Sequence, residues 1–166
     1  MKFVSEKVAI RRLGEIREAF RTKIAGDFEH RAKPCVTCET PGACCLDAHF
    51  VNVRISRLEA AAIRDSLLRL EPEFQSRVYA RIENAADGLS ERETYACPLF
   101  EKGTGCLVHN DAKPLPCIQH ACYDRKEDLP PDELLAEAEE LIDRLNRRVY
   151  GTATAIKPLP TALLRD

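Results

Sequence analysis

Residues 34–45 read Pro-Cys-Val-Thr-Cys-Glu-Thr-Pro-Gly-Ala-Cys-Cys, and the organisation of the chain can be worked out from them. Cys35, Cys38, Cys44 and Cys45 are crowded together and punctuated by Pro34, Pro41 and Gly42. Prolines and glycines hold such a stretch in turns, so it does not read as the interior of a helix or strand. A second stretch, 97–122, carries Cys97, Cys106, Cys117 and Cys122. Gly103 and Gly105 put a tight turn between Cys97 and Cys106, with room for one short β-hairpin. Pro114 and Pro116 favour an extended approach to Cys117. Both blocks are therefore expected in loops between regular elements.

Those elements read as helices. In 4–26, Val8, Leu13, Ile16, Phe20 and Ile24 fall near one stripe, and Gly26 and Asp27 supply stop signals. In 56–70, Ser56 followed by Glu59 has the spacing of a capping box, ahead of the stripe Leu58, Ala62, Leu67 and Leu70. In 72–86 the stripe is Phe74, Val78, Ile82 and Ala85. The clearest amphipathic pattern is 131–150, with Leu134, Ala138, Leu141, Ile142, Leu145 and Val149 on one side. Pro131 and Asp132 begin it and Gly151 ends it. Residues 49–54 alternate like a short strand, and the tail, 152–166, with Pro158 and Pro160, reads as extended and lying over a groove. Aromatic residues make up only 6% of the chain and Trp is absent, so the core must come from Leu, Ile, Val and Ala, which suits packed helices. The expected fold class is mainly α: a small helical domain around a loop-built, Cys-rich metal centre. A single domain over 1–166 is expected, with its metal-binding core at 34–123 between an N-terminal and a C-terminal helix.

Composition narrows the function. A net charge of −2 offers no strong basic field for nucleic acid or an anionic membrane. Residues 1–14 lack the apolar core of a signal peptide, and no apolar run is long enough to span a bilayer. The expected location is the cytoplasm. There, eight cysteines are expected as ligands or catalysts rather than as disulfides. Soft thiolates suit zinc and iron, and the candidate ligands are all eight cysteines; the expected cofactor is an iron–sulfur cluster or zinc.

The adjacent pair Cys44-Cys45 is the informative oddity. In an extended segment neighbouring side chains point to opposite sides. The pair then either serves two metal ions, or has one bridging thiolate, or includes one buried structural thiol. Eight thiolates around two Zn²⁺ would sum to a charge of −4, which calls for Lys, Arg or backbone N–H partners. His49, His109 and His120 lie beside the cysteines, but with eight better ligands nearby they read as loop histidines, and Asp47 as a turn residue. His30 has no cysteine neighbour and reads as uninvolved.

The ordered set of motifs resembles the YkgJ-like, CxxCxxCC cysteine-cluster family, described as a zinc- or iron-chelating domain and similar to a domain of flagellin lysine N-methylases. The resemblance rests on Cys35, Cys38, Cys44 and Cys45, on Ile55-Ser56-Arg57-Leu58-Glu59, on Cys97-Pro98-Leu99-Phe100, and on Cys106, Lys113-Pro114, Cys117 and Cys122. Five residues separate Cys38 from Cys44, more than the family's usual gap; His109 replaces its Tyr, and Lys113 its Arg. The resemblance implies chelation but no single reaction. Three functions follow as expectations: a metal centre for redox, metal handling or modification chemistry; a structural zinc module that presents its helices to a protein partner; or a metal-dependent enzyme. No Gly-rich strand-turn-helix or Walker motif is present, so a complete methyltransferase is not expected in this chain, and any catalysis belongs at the metal.

Overall fold

A computed structural model describes residues 3–33, 39–40, 42–46, 52–87, 89, 94–151 and 155–164. Cys35, Cys38, Asp47 and His49 lie outside the described residues. In chain order the elements are α1 (Glu6–Asp27), β1 (Ala32–Lys33), α2 (Ala43–Leu46), β2 (Arg54–Ile55), α3 (Arg57–Leu67), α4 (Pro72–Ala86), β3 (Phe100–Glu101), β4 (Gly105–Cys106), α5 (Leu115–Gln119), β5 (Cys122–Tyr123), α6 (Asp132–Tyr150), β6 (Lys157–Pro158) and α7 (Leu159–Leu164). The protein is mainly helical, and its described strands form two-stranded antiparallel sheets only. No helix among the described residues is long and apolar enough to cross a membrane. The chain divides into two compact units, one from Met1–Pro41 with Pro114–Thr154, the other from Gly42–Lys113 with Ala155–Asp166.

In the first unit α1 packs against α6 and α5. Ser5 caps α1, its hydroxyl accepting the Val8 N–H at 3.4 Å. Ala9, Leu13, Phe20 and Ile24 form the buried face. Arg17 is buried in the same row, a position that periodicity alone would give to an apolar residue. On α6 the row Ala138, Ile142 and Leu145 turns inward, whereas Leu141 stays 45% exposed, so the buried stripe is narrower than the sequence pattern. Gly151, at φ 78°, ends α6 and returns its N–H to the Arg147 carbonyl. β1 pairs with β5, placing Lys33 opposite Cys122.

The second unit is built on α3, α4 and α7. The capping box forms as the sequence requires. Ser56 Oγ accepts the Glu59 N–H at 3.3 Å, while Glu59 Oε2 accepts the Ser56 N–H and hydroxyl, both at 2.9 Å. Helix α3 stops at Leu67, three positions short of the expected end, and Leu68 turns out to solvent. Leu58, Ile63, Leu67, Val78, Ile82, Leu99, Val108 and Leu159 are fully buried. The tail departs from its expected extended form. Among its described residues only Lys157–Pro158 is a strand, paired with Arg54–Ile55, and α7 follows at once. Pro160 is tolerated because it stands in the first turn, where a helix has no use for its N–H. Leu159, Pro160, Ala162 and Leu163 are buried there, and that burial favours a helix against α3 and α4.

Ser56→Ala removes one half of a buried capping box. We expect a loss of about 1–2 kcal/mol, read as a lower urea midpoint at unchanged slope. An unchanged midpoint would show that Glu59 alone holds the start of α3.

Candidate metal centre

Four of the candidate ligands belong to the second unit: Cys44, Cys45, Cys97 and Cys106. All four are free thiols. Cys44 and Cys45 sit on α2, a single helical turn and not an extended segment. Gly42 opens it at φ +85°, and its carbonyl accepts the N–H of Cys45 at 2.9 Å and of Leu46 at 3.1 Å. Neighbouring side chains on a helical turn diverge by about 100° and do not face opposite ways. The two thiols can therefore meet, and they do so through a Cys44–Cys45 hydrogen bond. This removes the premise that the pair must serve two metals, bridge, or give up one thiol to the core.

Cys97 and Cys106 flank the β3–β4 hairpin, which the two glycines foreshadowed. Gly103 and Gly105 adopt φ of +84° and +91°, and Thr104 N–H closes the turn on the Glu101 carbonyl at 3.1 Å. Phe100 lies opposite Cys106 in the ladder. The turn Cys97-Pro98-Leu99-Phe100, which the Phe100 N–H also closes on the Cys97 carbonyl at 3.2 Å, brings the N–H groups of Leu99 and Phe100 toward the Cys97 sulfur. The Val108 N–H does the same for Cys106. Such donors favour the charged form of the sulfur they face.

Two contacts join the helical turn to the hairpin. The Cys97 N–H donates to the Cys45 carbonyl at 2.8 Å. Gly42 packs directly on the Phe100 ring, with no space for a Cβ. Cys45 thereby feels Cys44, Cys97 and Cys106 at once. Burial, and then the neighbouring thiols, push the Cys45 thiol up to about 12. Burial also pushes Cys97 up to about 11; the Leu99 and Phe100 N–H groups and the Arg81 guanidinium oppose it, and Cys106 adds to it. Cys106 is raised by burial against the pull of Val108 N–H and Lys113.

These thiols are thus neutral at pH 7 in the metal-free protein, and a metal must displace their protons to bind. The sign for folding follows. A thiol raised in the folded state contributes stability that is complete below its ordinary value of 9.0 and is lost as pH rises toward 11–12. The metal-free protein should therefore melt at falling temperature above pH 9, and less steeply once Cys45 is replaced by Ala. A flat profile over that range would show that the thiols are not desolvated.

Among the described residues, no group of three or more His, Cys, Asp or Glu side chains is arranged to hold a metal ion. Cys117 and Cys122 belong to the first unit. Cys117 rides on α5, half-buried, where an extended approach was expected; Pro114 caps that helix and Pro116 falls in its first turn, both positions that dispense with an N–H. Cys122 is exposed on β5. His109 is exposed after the Cys106 turn, and His120 ends α5. His30 Nε2 accepts a hydrogen bond from Arg31 Nε at 3.3 Å.

Arg81, on α4, is the residue that sequence reasoning missed. Its Nη1 donates to the Phe100 carbonyl at 3.1 Å and to Glu101 Oε2 at 2.8 Å, and its charge favours the Cys97 thiolate. The need for a cation near the thiolates was legible. Its position was not, because Arg81 reads locally as one more charge flanking the buried Val78 and Ile82.

Compared with known proteins, the chain matches no family model, no curated protein and no solved structure.

Proposed function

We propose that this chain is a metal-binding protein of the cysteine-cluster kind its motifs resemble, holding zinc or an iron–sulfur cluster through thiolates. The observation that carries the reading is the meeting of the α2 turn, which bears the free thiols Cys44 and Cys45, with the hairpin flanked by the free thiols Cys97 and Cys106, through the Cys97 N–H and the Cys45 carbonyl at 2.8 Å. The donor set fits either group, since four soft sulfurs suit tetrahedral zinc and also the terminal positions of a cluster. The N–H groups brought toward Cys97 and Cys106 are the partners that thiolates need when they carry charge in a partly buried place. The four are not gathered around one centre in the metal-free protein, so metal binding would have to draw them together. Cys35, Cys38, Cys117 and Cys122 are the candidates for a second set; Lys33, two positions before Cys35 in sequence, is paired with Cys122.

Bound zinc would tie the α2 turn to the hairpin, and a cluster would add electron transfer. In both cases this chain's own residues do the same work. The two turns present sulfur, their N–H groups and Arg81 balance its charge, and Gly42 lets the two pieces approach. Free thiols are in keeping with a reducing compartment, the cytoplasm.

Purification without oxygen, a visible spectrum and a metal count test the reading. A brown protein with iron and acid-labile sulfide supports a cluster, and a colourless one with stoichiometric zinc supports the zinc centre. Protein that holds neither metal, and takes up neither on reconstitution, overturns the proposal.

A further inference from the structure

The guanidinium of Arg81 is anchored along one side only. Nη1 is spent on the Phe100 carbonyl and the Glu101 carboxylate, both on β3, the strand that leads out of the Cys97 turn. Nε and Nη2 are buried and meet no acceptor among the described residues. Buried donors without an acceptor are costly, and a guanidinium cannot lose its proton to escape that cost. An arginine held in this way is oriented in advance for negative charge that arises beside it.

We propose that Arg81 is a positioning residue of the thiolate centre, its Nε and Nη2 edge serving as the donor face for the charge that Cys97 acquires when a metal displaces the thiol proton. The inference rests on the metal-binding reading above. Four thiolates around a divalent ion sum to −2, and such a charge in a partly buried site needs compensation. The backbone N–H groups of Leu99, Phe100 and Val108 supply dipoles, while Arg81 supplies a full charge. Glu101 partly offsets that charge, but it also keeps the side chain from swinging out to solvent. Partners of this kind, which orient ligands without binding the metal, are worth roughly 10–100-fold in metal affinity.

The test compares wild type, Arg81→Met and Arg81→Lys as metal-free proteins titrated with Co²⁺ and then competed with Zn²⁺ against a chromophoric chelator. Met keeps much of the stem's packing and removes the charge, whereas Lys keeps the charge and loses the fork. We expect Arg81→Met to bind both metals about tenfold more weakly or worse, with a shifted sulfur-to-cobalt charge-transfer band at unchanged stoichiometry. Arg81→Lys should recover at least half of the lost affinity on a logarithmic scale. Equal affinity and an identical band in Arg81→Met overturn this inference and leave the metal reading standing. Arg81→Lys binding as weakly as Arg81→Met also overturns it, because packing and not charge would then be responsible. A wild type that binds neither metal overturns both. If Arg81→Met does not fold, Arg81→Gln takes its place: binding about tenfold weaker than wild type supports the inference, and equal affinity with an identical band overturns it.

Discussion

Cys97→Ser will weaken metal binding on the order of 100-fold or more, beyond the range seen for partners that only orient ligands, and will lower the melting temperature of the metal-loaded protein. Cys97 is the hinge of the proposed centre. Its N–H reaches the Cys45 carbonyl, two backbone N–H groups approach its sulfur, and Arg81 acts on it. Where a metal is held by a site that exists only in the folded chain, its binding free energy is folding free energy, roughly 10–16 kcal/mol for zinc in small modules at neutral pH. The control is the metal-free pair. Burial already keeps the Cys97 thiol neutral, and Ser is close to it in size, so metal-free wild type and metal-free Cys97→Ser should unfold within about 1 kcal/mol of each other. Full chelation of the wild type should bring its melting temperature down to that of the variant. If chelation leaves thermal unfolding where it was, the metal has no structural role.

Gly42→Ala will destabilise the protein by roughly 2–5 kcal/mol, from about 1–2 for a β-carbon at positive φ and about 1–3 for overpacking. Both causes act at one position. Gly42 has φ +85°, and a Cβ there would lie inside the space of the Phe100 ring. The ring stands opposite Cys106 in the hairpin, and Gly42 leads directly into Cys44 and Cys45. The same substitution should therefore weaken metal binding as well as folding. Urea unfolding of Gly42→Ala, Phe100→Ala and the double variant separates the two causes. Removing the ring should return the steric share of the loss and leave the backbone share. Strict additivity of the two single variants would show that the ring contact contributes nothing.

The helices were legible because their signals are local. Ser56 and Glu59 are three residues apart and satisfy each other's backbone on the spot, so the capping box seen in the sequence is the one in the structure. The stripes on α1, α4 and α6 follow from the same short-range geometry, and the hairpin follows from Gly103 and Gly105. Local signals failed where packing outweighed them. Of the prolines that favour extended chain before Cys117 and in the tail, Pro116 and Pro160 stand instead in first helical turns, because burial of Leu115, Ile118, Leu159 and Leu163 favours helices there.

By itself, the sequence determined the fold class, the helix that begins at Ser56, the turns around Cys97 and Cys106, and the stock of sulfur donors. Only the tertiary structure decided which of these cysteines share a compact unit. The sequence blocks pair Cys44 and Cys45 with Cys35 and Cys38, and pair Cys97 and Cys106 with Cys117 and Cys122. The two compact units regroup them, taking Cys44, Cys45, Cys97 and Cys106 together. Only tertiary structure, likewise, brought Arg81 to the Cys97 turn. The physical reason is the range of the forces involved. Capping and periodicity act over one or two turns of chain, whereas the meeting of Cys45 with Cys97, of Gly42 with Phe100 and of Arg81 with β3 depends on how α3, α4 and α7 bury their apolar faces together.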